Sequence, residues 1–179
     1  MTKKTITLLL PTLNEVVGFK AIFPKINREL FDEILVMDGG STDGTVEYAK
    51  SQNLNIVTQS KKGLGPAVME AMSIINTDCV IEFSLDGNCL VEQLEQIVHN
   101  LHIGDDLVVV SRYLPPAVSH DDTLVTAFGN KMFTFFIGLL GNFNPTDTLT
   151  IYRGFNIGIA KYPEFKKFLY GPVFEPLIS

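Results

Sequence analysis

Two cysteines in 179 residues, Cys79 and Cys89, have neither the number nor the spacing of a disulfide framework or a zinc site. Nothing at the N-terminus resembles a secretory signal, so a reduced, cytoplasmic setting is expected. Positive charge is scarce as well. Fourteen Lys and Arg against 20 Asp and Glu leave a formal charge of −6, which argues against a nucleic-acid footprint. An acidic chain that binds a phosphorylated ligand needs local cations, either basic side chains or a metal ion. Two familiar nucleotide signatures are missing too. No G-x-G-x-x-G follows the first apolar run, and no G-x-x-x-x-G-K-[ST] occurs anywhere.

What is present is the composition of a soluble globular domain, 46% apolar and 19% charged, and a length that suits one domain with a real core. The stretch Val36-Met37-Asp38-Gly39-Gly40-Ser41-Thr42-Asp43-Gly44-Thr45 reads as a buried strand breaking into a glycine-rich turn that starts a helix. Gly39 and Gly40 let backbone approach a ligand, and Ser41, Thr42 or Asp43 can cap the following helix. Asp38 sits at the carboxyl end of its strand, where open α/β sheets bind ligands, and is read as a ligand contact; Asp43 is read as an ordinary capping residue.

Along the chain, strands are expected at 5–10, 33–38, 54–58, 79–84 and 106–110. Helices are expected between them, the first interrupted near Pro24, the others at 45–52, from about 61–66 to 75, and at 91–101. This alternation predicts a mainly parallel sheet with helices on both faces. Lys61-Lys62-Gly63-Leu64-Gly65-Pro66 opens a helix, where it can cradle phosphate or serve as a plain solvated turn. His99, His102 and His120 share no ligand-like spacing and read as surface or loop residues. Residues 124–140 are apolar nearly all round. At roughly 17 residues, with Asn130 and Lys131 in the middle, the segment is too short and too polar for a membrane span. It reads as a buried helix or as one lying at a membrane interface. Leu85-Asp86-Gly87-Asn88 echoes the D-x-D-G-T loop of haloacid dehalogenase phosphatases, but it follows the fourth strand and has Ser84 two residues before Asp86.

The ordered set of motifs resembles the GT-A fold glycosyltransferases of family 2, in particular the branch of dolichol- and polyprenol-phosphate sugar synthases. Pro11-Thr12-Leu13-Asn14-Glu15 is similar to the family's P-T-x-N-E, and the stretch from Asp38 to Thr45 to its D-D-G-S-T-D-G-T. Lys62-Gly63-Leu64-Gly65 resembles its K-G-x-G loop, Ser84-Leu85-Asp86-Gly87 occupies the D-x-D-G site, and Ser111-Arg112-Tyr113 is similar to its S-R-Y.

The resemblance implies a three-layer, Rossmann-like α/β fold and an inverting transfer of a sugar from a UDP- or GDP-linked donor. Pro11, Thr12, Glu15 and Asp38 would hold base and ribose, with Lys62, Gly63, Ser84 and Leu85 completing the donor site. Asp86, helped by Asn88, would bind Mg²⁺ or Mn²⁺, which commonly keeps several waters. Arg112 and Lys131 resemble basic residues that face phosphates in the lipid-phosphate branch. The acceptor would be a lipid phosphate or a sugar, with peripheral contact at the cytoplasmic face of a membrane. A hydroxyl acceptor needs a general base, for which Asp147 is the candidate; with a phosphate acceptor Asp147 would organise Arg153 or the acceptor pocket.

Two substitutions depart from the family pattern. Ser84 replaces the first Asp of D-x-D, and Gly39 replaces the second Asp after strand two. The chain also ends at Ser179 where the family usually continues, so residues 1–179 are expected to be a single short or truncated catalytic domain. The alternative expectation is a nucleotide-sugar-binding module that has lost turnover and serves as a partner or regulator.

Overall fold

The computed structural model describes residues 3–111 and 150–158. Its strands are β1 (Ile6–Thr12), β2 (Glu33–Asp38), β3 (Asn55–Thr58), β4 (Cys79–Glu82), β5 (Leu107–Val109) and β6 (Arg153–Asn156). They form one six-stranded sheet in the order β3-β2-β1-β4-β6-β5. The α-helices are α1 (Val16–Ile22), α2 (Thr45–Ser51), α3 (Leu64–Ile74) and α4 (Leu94–Ile103). The first four strands are mutually parallel, as crossover helices between them require. The expected α/β architecture is therefore the one observed.

Strand pleating sorts the apolar side chains into two layers. Ile6, Leu8, Leu10, Val36 and Ile81 pack with Phe19, Phe23, Ala49, Leu94, Ile97 and Leu101 on one face. Leu9, Leu35, Met37, Val80 and Phe155 pack with Ala67, Val68 and Ala71 of α3 on the other. Each fully buried Phe or Leu contributes about 1.5–3 kcal/mol. Small residues along α3 bring its first turns close to the sheet, and Pro66 is tolerated there because a first-turn N–H would lack an intrahelical acceptor anyway.

Several boundaries differ from the expected ones. β1 continues past 10 through Pro11 and Thr12, which pair with Met37 and Asp38. Pro11 is accommodated because pairing with β4 ends at Leu9 and Glu82, and the Leu9 carbonyl accepts Phe83 N–H. Two residues on, the missing N–H of Pro11 faces that same side, where the ladder has stopped. The first helix does break at Pro24, into 3₁₀ turns at Phe23–Lys25 and Arg28–Leu30. The fourth helix likewise begins as a 3₁₀ turn, Val91–Gln93.

β6 has no counterpart among the expected strands. It lies antiparallel between β4 and β5, so β5 runs in the direction of the first four. Arg153-Gly154-Phe155-Asn156 offers one large apolar side chain, too little to mark a strand. Tertiary packing makes it one: a Cβ on Gly154 would lie 2.5 Å from Ile97 Cγ2 and 3.0 Å from Leu101 Cδ1, so glycine is what lets α4 close over the sheet here.

Candidate active site

The carboxyl ends of β1, β2, β3 and β4 meet at one edge of the sheet, and the loops that leave them carry the motifs. A cleft of about 500 Å³ opens there, lined by Pro11, Thr12, Leu13, Gly39, Gly40, Gln59, Lys62, Gly63, Leu64 and Ala67. Of the residues assigned to the site, Pro11, Thr12, Lys62 and Gly63 thus share one wall, whereas Glu15, Asp38, Ser84, Leu85, Asp86 and Asn88 do not line it. Arg112, Lys131 and Asp147, and with them the apolar segment 124–140 and His120, fall outside the described residues.

Asp38 is buried, and its carboxylate is committed to the turn. Oδ2 accepts Gly40 N–H at 2.9 Å, and both oxygens accept Ser41 N–H at 3.1–3.2 Å. Asp38 therefore acts on the cleft by fixing the glycine backbone that lines it. Gly40 has φ +95°, a conformation that favours glycine. The Thr12 hydroxyl, buried and without a hydrogen-bond partner, is an orphaned polar group beside the cleft.

The first and second loops brace one another. Asn14, at φ +57°, donates its N–H to Ser41 Oγ at 2.9 Å and accepts Thr42 N–H on Oδ1 at 2.9 Å. Glu15 N–H reaches Thr45 Oγ1 at 2.9 Å. Asp43 serves both helices: Oδ2 accepts Val16 N–H at 3.0 Å at the start of α1, and Oδ1 accepts the N–H and hydroxyl of Thr45 at 3.0 and 2.6 Å. The structural reading of Asp43 fits this geometry, with the addition that it caps two helices. These bonds hold Asp43 below the ordinary carboxylate range.

Asp86 lies exposed in the loop after β4. Its Oδ1 accepts Asn88 N–H at 2.9 Å and its Oδ2 accepts Asn88 Nδ2 at 3.2 Å, while Asp86 N–H reaches Ser84 Oγ at 3.4 Å. With Asn88 Nδ2 turned to the carboxylate, the amide oxygen is the end left for a cation. Burial first, then the charges of Asp86 and Asp43, pushes the Glu15 carboxyl above its usual range. The donor set is one exposed carboxylate with an amide oxygen beside it. It fits a hard divalent cation that takes its remaining ligands from phosphate and water. Among the described residues, no group of three His, Cys, Asp or Glu forms a self-sufficient metal site.

Gly18 carried no signal in the sequence, yet it packs against the loop that carries Asp86. A Cβ on it would overlap the Leu85 carbonyl oxygen, so α1 presses directly on the loop that carries Asp86. Asn14, Thr45 and Gln59 carried no individual signal either, and Ser41, a candidate cap for the following helix, accepts Asn14 N–H instead.

Comparison with known proteins bears on the family and the fold. The Glycosyltransferase AglJ of Haloferax volcanii is 32% identical over 158 residues, 86% of this chain and 51% of that protein. The UDP-N-acetylglucosamine–dolichyl-phosphate N-acetylglucosaminyltransferase of Methanococcus voltae is 26% identical, covering 90% of this chain and 73% of its own. Glucosyl-3-phosphoglycerate synthase from Mycobacterium tuberculosis, solved with Mn²⁺, UDP and phosphoglyceric acid, superposes with a TM-score of 0.69 at 20% identity. That match covers 87% of this chain and 57% of the synthase, and supports the GT-A-like fold. The chain thus spans only about half the length of the Haloferax relative and of this synthase. The family model described as Glycosyl transferase family 2 matches residues 7–162, and the chain belongs to that family.

Proposed function

We propose that the strand-end cleft binds a nucleoside diphosphate sugar, UDP- or GDP-linked, and that the protein transfers the sugar with inversion to an acceptor, for which a polyprenyl phosphate is favoured. The observation that carries this reading is convergence. Pro11, Thr12, the Gly39-Gly40 turn shaped by Asp38, and the Lys62-Gly63 loop line one cleft, and Asp86 projects from the neighbouring strand's loop. The names of relatives support the acceptor class, since one acts on dolichyl phosphate and another, from Mycolicibacterium smegmatis, is a polyprenol monophosphomannose synthase.

In this reading the apolar wall of Pro11, Leu13, Leu64 and Ala67 takes the flat base, and the close-approaching glycine backbone takes the ribose. Lys62 offers a cation to the diphosphate. Asp86, with the oxygen of Asn88, would hold Mg²⁺ or Mn²⁺. When bound, such an ion offsets the charge that develops on the departing diphosphate, typically by several kcal/mol. Arg112 and Lys131 are assigned to phosphates, and Asp147 to activating a hydroxyl acceptor or organising the acceptor pocket, on the sequence alone. The apolar segment 124–140 is assigned to peripheral membrane contact; among the described residues no helix is long and apolar enough to cross a membrane.

Ser84, where the family has an acid, favours a second reading, a donor-binding module without turnover. The test is release of UDP or GDP from a panel of their hexose and N-acetylhexosamine conjugates, with and without polyprenyl phosphate. Acceptor-dependent release is expected from one pairing. Tight UDP or GDP binding with no release from any pairing would establish the module instead.

A further inference from the structure

Gln59 follows β3 at the edge of the cleft and belongs to no recognised motif, yet it is tied to three backbone carbonyls. Its N–H donates to the Asp38 carbonyl at 2.9 Å, continuing the β2–β3 ladder by one bond. Its carboxamide Nε2 donates to Lys61 O at 2.5 Å and to Gly63 O at 3.2 Å. Both side-chain donors are thereby used inside the loop that carries Lys62. The assignment of amide nitrogen and oxygen is dictated by these partners, because an oxygen in that position would face two carbonyls. Next to it, Ser60 is fastened from the other side, its N–H and hydroxyl reaching Glu70 Oε2 of α3 at 2.8 and 3.0 Å.

The loop needs such fastening. Lys61 and Lys62 repel one another, and Gly63, at φ +114°, has the largest backbone entropy to lose. Gly63 O also accepts Ala67 N–H at 3.2 Å, the first backbone bond of α3, so the Gln59 amide completes the carbonyl from which the helix starts. The Lys61 and Gly63 carbonyls are thereby engaged by Gln59 rather than left unpaired beside the cation of Lys62. An anchored loop presents its cation without an ordering cost at the moment of binding.

We infer that Gln59 is the positioning residue of the Lys62 loop. Its carboxamide, with the Glu70–Ser60 clamp as second anchor, sets the loop that receives the donor's phosphates while leaving base recognition to the rest of the cleft. The inference rests on the donor reading above and names the residues that preorganise its phosphate end.

The experiment compares the affinities of uridine with UDP, and of guanosine with GDP, using ligand-observed NMR for the nucleosides and calorimetry for the diphosphates. The proteins are the native chain, Gln59→Met and Glu70→Ala. Met keeps the length of Gln without its donors, and Glu70→Ala releases Ser60 from outside the cleft. Two lost loop bonds correspond to roughly a tenfold effect. The expected result is a diphosphate affinity weakened about tenfold in both variants, with nucleoside affinity unchanged within about twofold. An equal loss for nucleoside and diphosphate would make Gln59 a contact to the base and overturn the inference, as would no loss in either variant. If Gln59→Met fails to fold, Glu70→Ala decides in the same way. A native chain that binds neither UDP nor GDP would overturn the donor reading itself, an outcome distinct from a uniform loss in the variants.

Discussion

Arg153 Nε donates to Glu82 Oε2 at 3.0 Å across the β6–β4 pair, with side chains only 3% and 2% exposed. The pleat puts the pair on the face of Val80 and Phe155, the α3 side from which the cleft opens. Glu82 Oε1 has no hydrogen-bond partner, and burial pushes the carboxyl above its ordinary range while Arg153 opposes that shift. Removing Arg153 leaves the Glu82 carboxylate buried without its cation, which costs about 3–5 kcal/mol. Arg153→Ala should lower stability in urea by about that amount, and Glu82→Ala by less, because Arg153 has an interaction besides Glu82. Glu82→Leu combined with Arg153→Met should cost less than Arg153→Ala alone. Additive losses in the double variant would show that the two groups act independently.

Gly18→Ala tests the contact between α1 and the Asp86 loop. The added methyl overlaps the Leu85 carbonyl oxygen, so either helix or loop must move. A protein that stays folded, at a cost of about 1–3 kcal/mol, should lose roughly 100-fold in sugar transfer, because misplacement by an ångström at a reacting centre is that damaging. Unchanged turnover would detach the Asp86 loop from the chemistry.

Asp38 separates turn support from ligand contact. Asp38→Ala leaves the Gly40 and Ser41 N–H groups without their acceptor, which should cost about 1–3 kcal/mol and abolish thermal stabilisation by UDP or GDP. Asp38→Asn keeps one acceptor oxygen and should recover most of the stability and part of the nucleotide-induced shift. If Asp38→Ala binds both nucleotides as the native chain does, the turn is no part of the donor site.

The thiols give a pH signature. Burial pushes the Cys89 thiol up from 9.0 to about 12, and Cys79 is raised by burial as well. For an acid whose folded pKa is raised, the unfolded chain ionises first, so stability is lost as pH rises from about 9 toward 12. For Cys89 alone the loss is on the order of 4 kcal/mol. Cys89→Ala should flatten that alkaline decline. A thiol reagent at pH 8.5 should label neither cysteine until denaturant is added, and rapid labelling of the folded protein would contradict their burial.

The legible part of this chain was whatever local chemistry announces. The apolar run closing on Asp38 fixed one strand end, whereas β4, expected through Ser84, stops at Glu82; Pro24 marked the helix break where it occurs. Partnership across the sheet was not legible. Asn14 and Ser41 lie 27 positions apart and look like ordinary turn residues until their loops meet. Gln59 is one polar residue at a strand end, indistinguishable in sequence from any solvated glutamine. Gly18 reads as a mild helix defect, although it is the place where α1 touches the Asp86 loop. β6 escaped because its strand character comes from β4, β5 and α4 rather than from its own four residues. Asp38 was legible as the end of its strand, but not its hydrogen bonds to the Gly40 and Ser41 amides.

The central claim is that the cleft and Asp86 together form one donor site, and calorimetry of UDP and GDP with Mn²⁺ or EDTA tests it most directly. Asp86 is exposed, and among the described residues no cluster of three His, Cys, Asp or Glu completes a metal site around it, so the chain should bind the metal weakly alone and much better with a diphosphate. One nucleotide should therefore bind the native chain with Mn²⁺ at least tenfold more tightly than in EDTA. In Asp86→Asn that metal-dependent gain should vanish, while affinity in EDTA stays within about twofold of native, since the proposal assigns base and ribose to the cleft. Equal gains from Mn²⁺ in native and Asp86→Asn protein, or no binding of either nucleotide, would contradict the account.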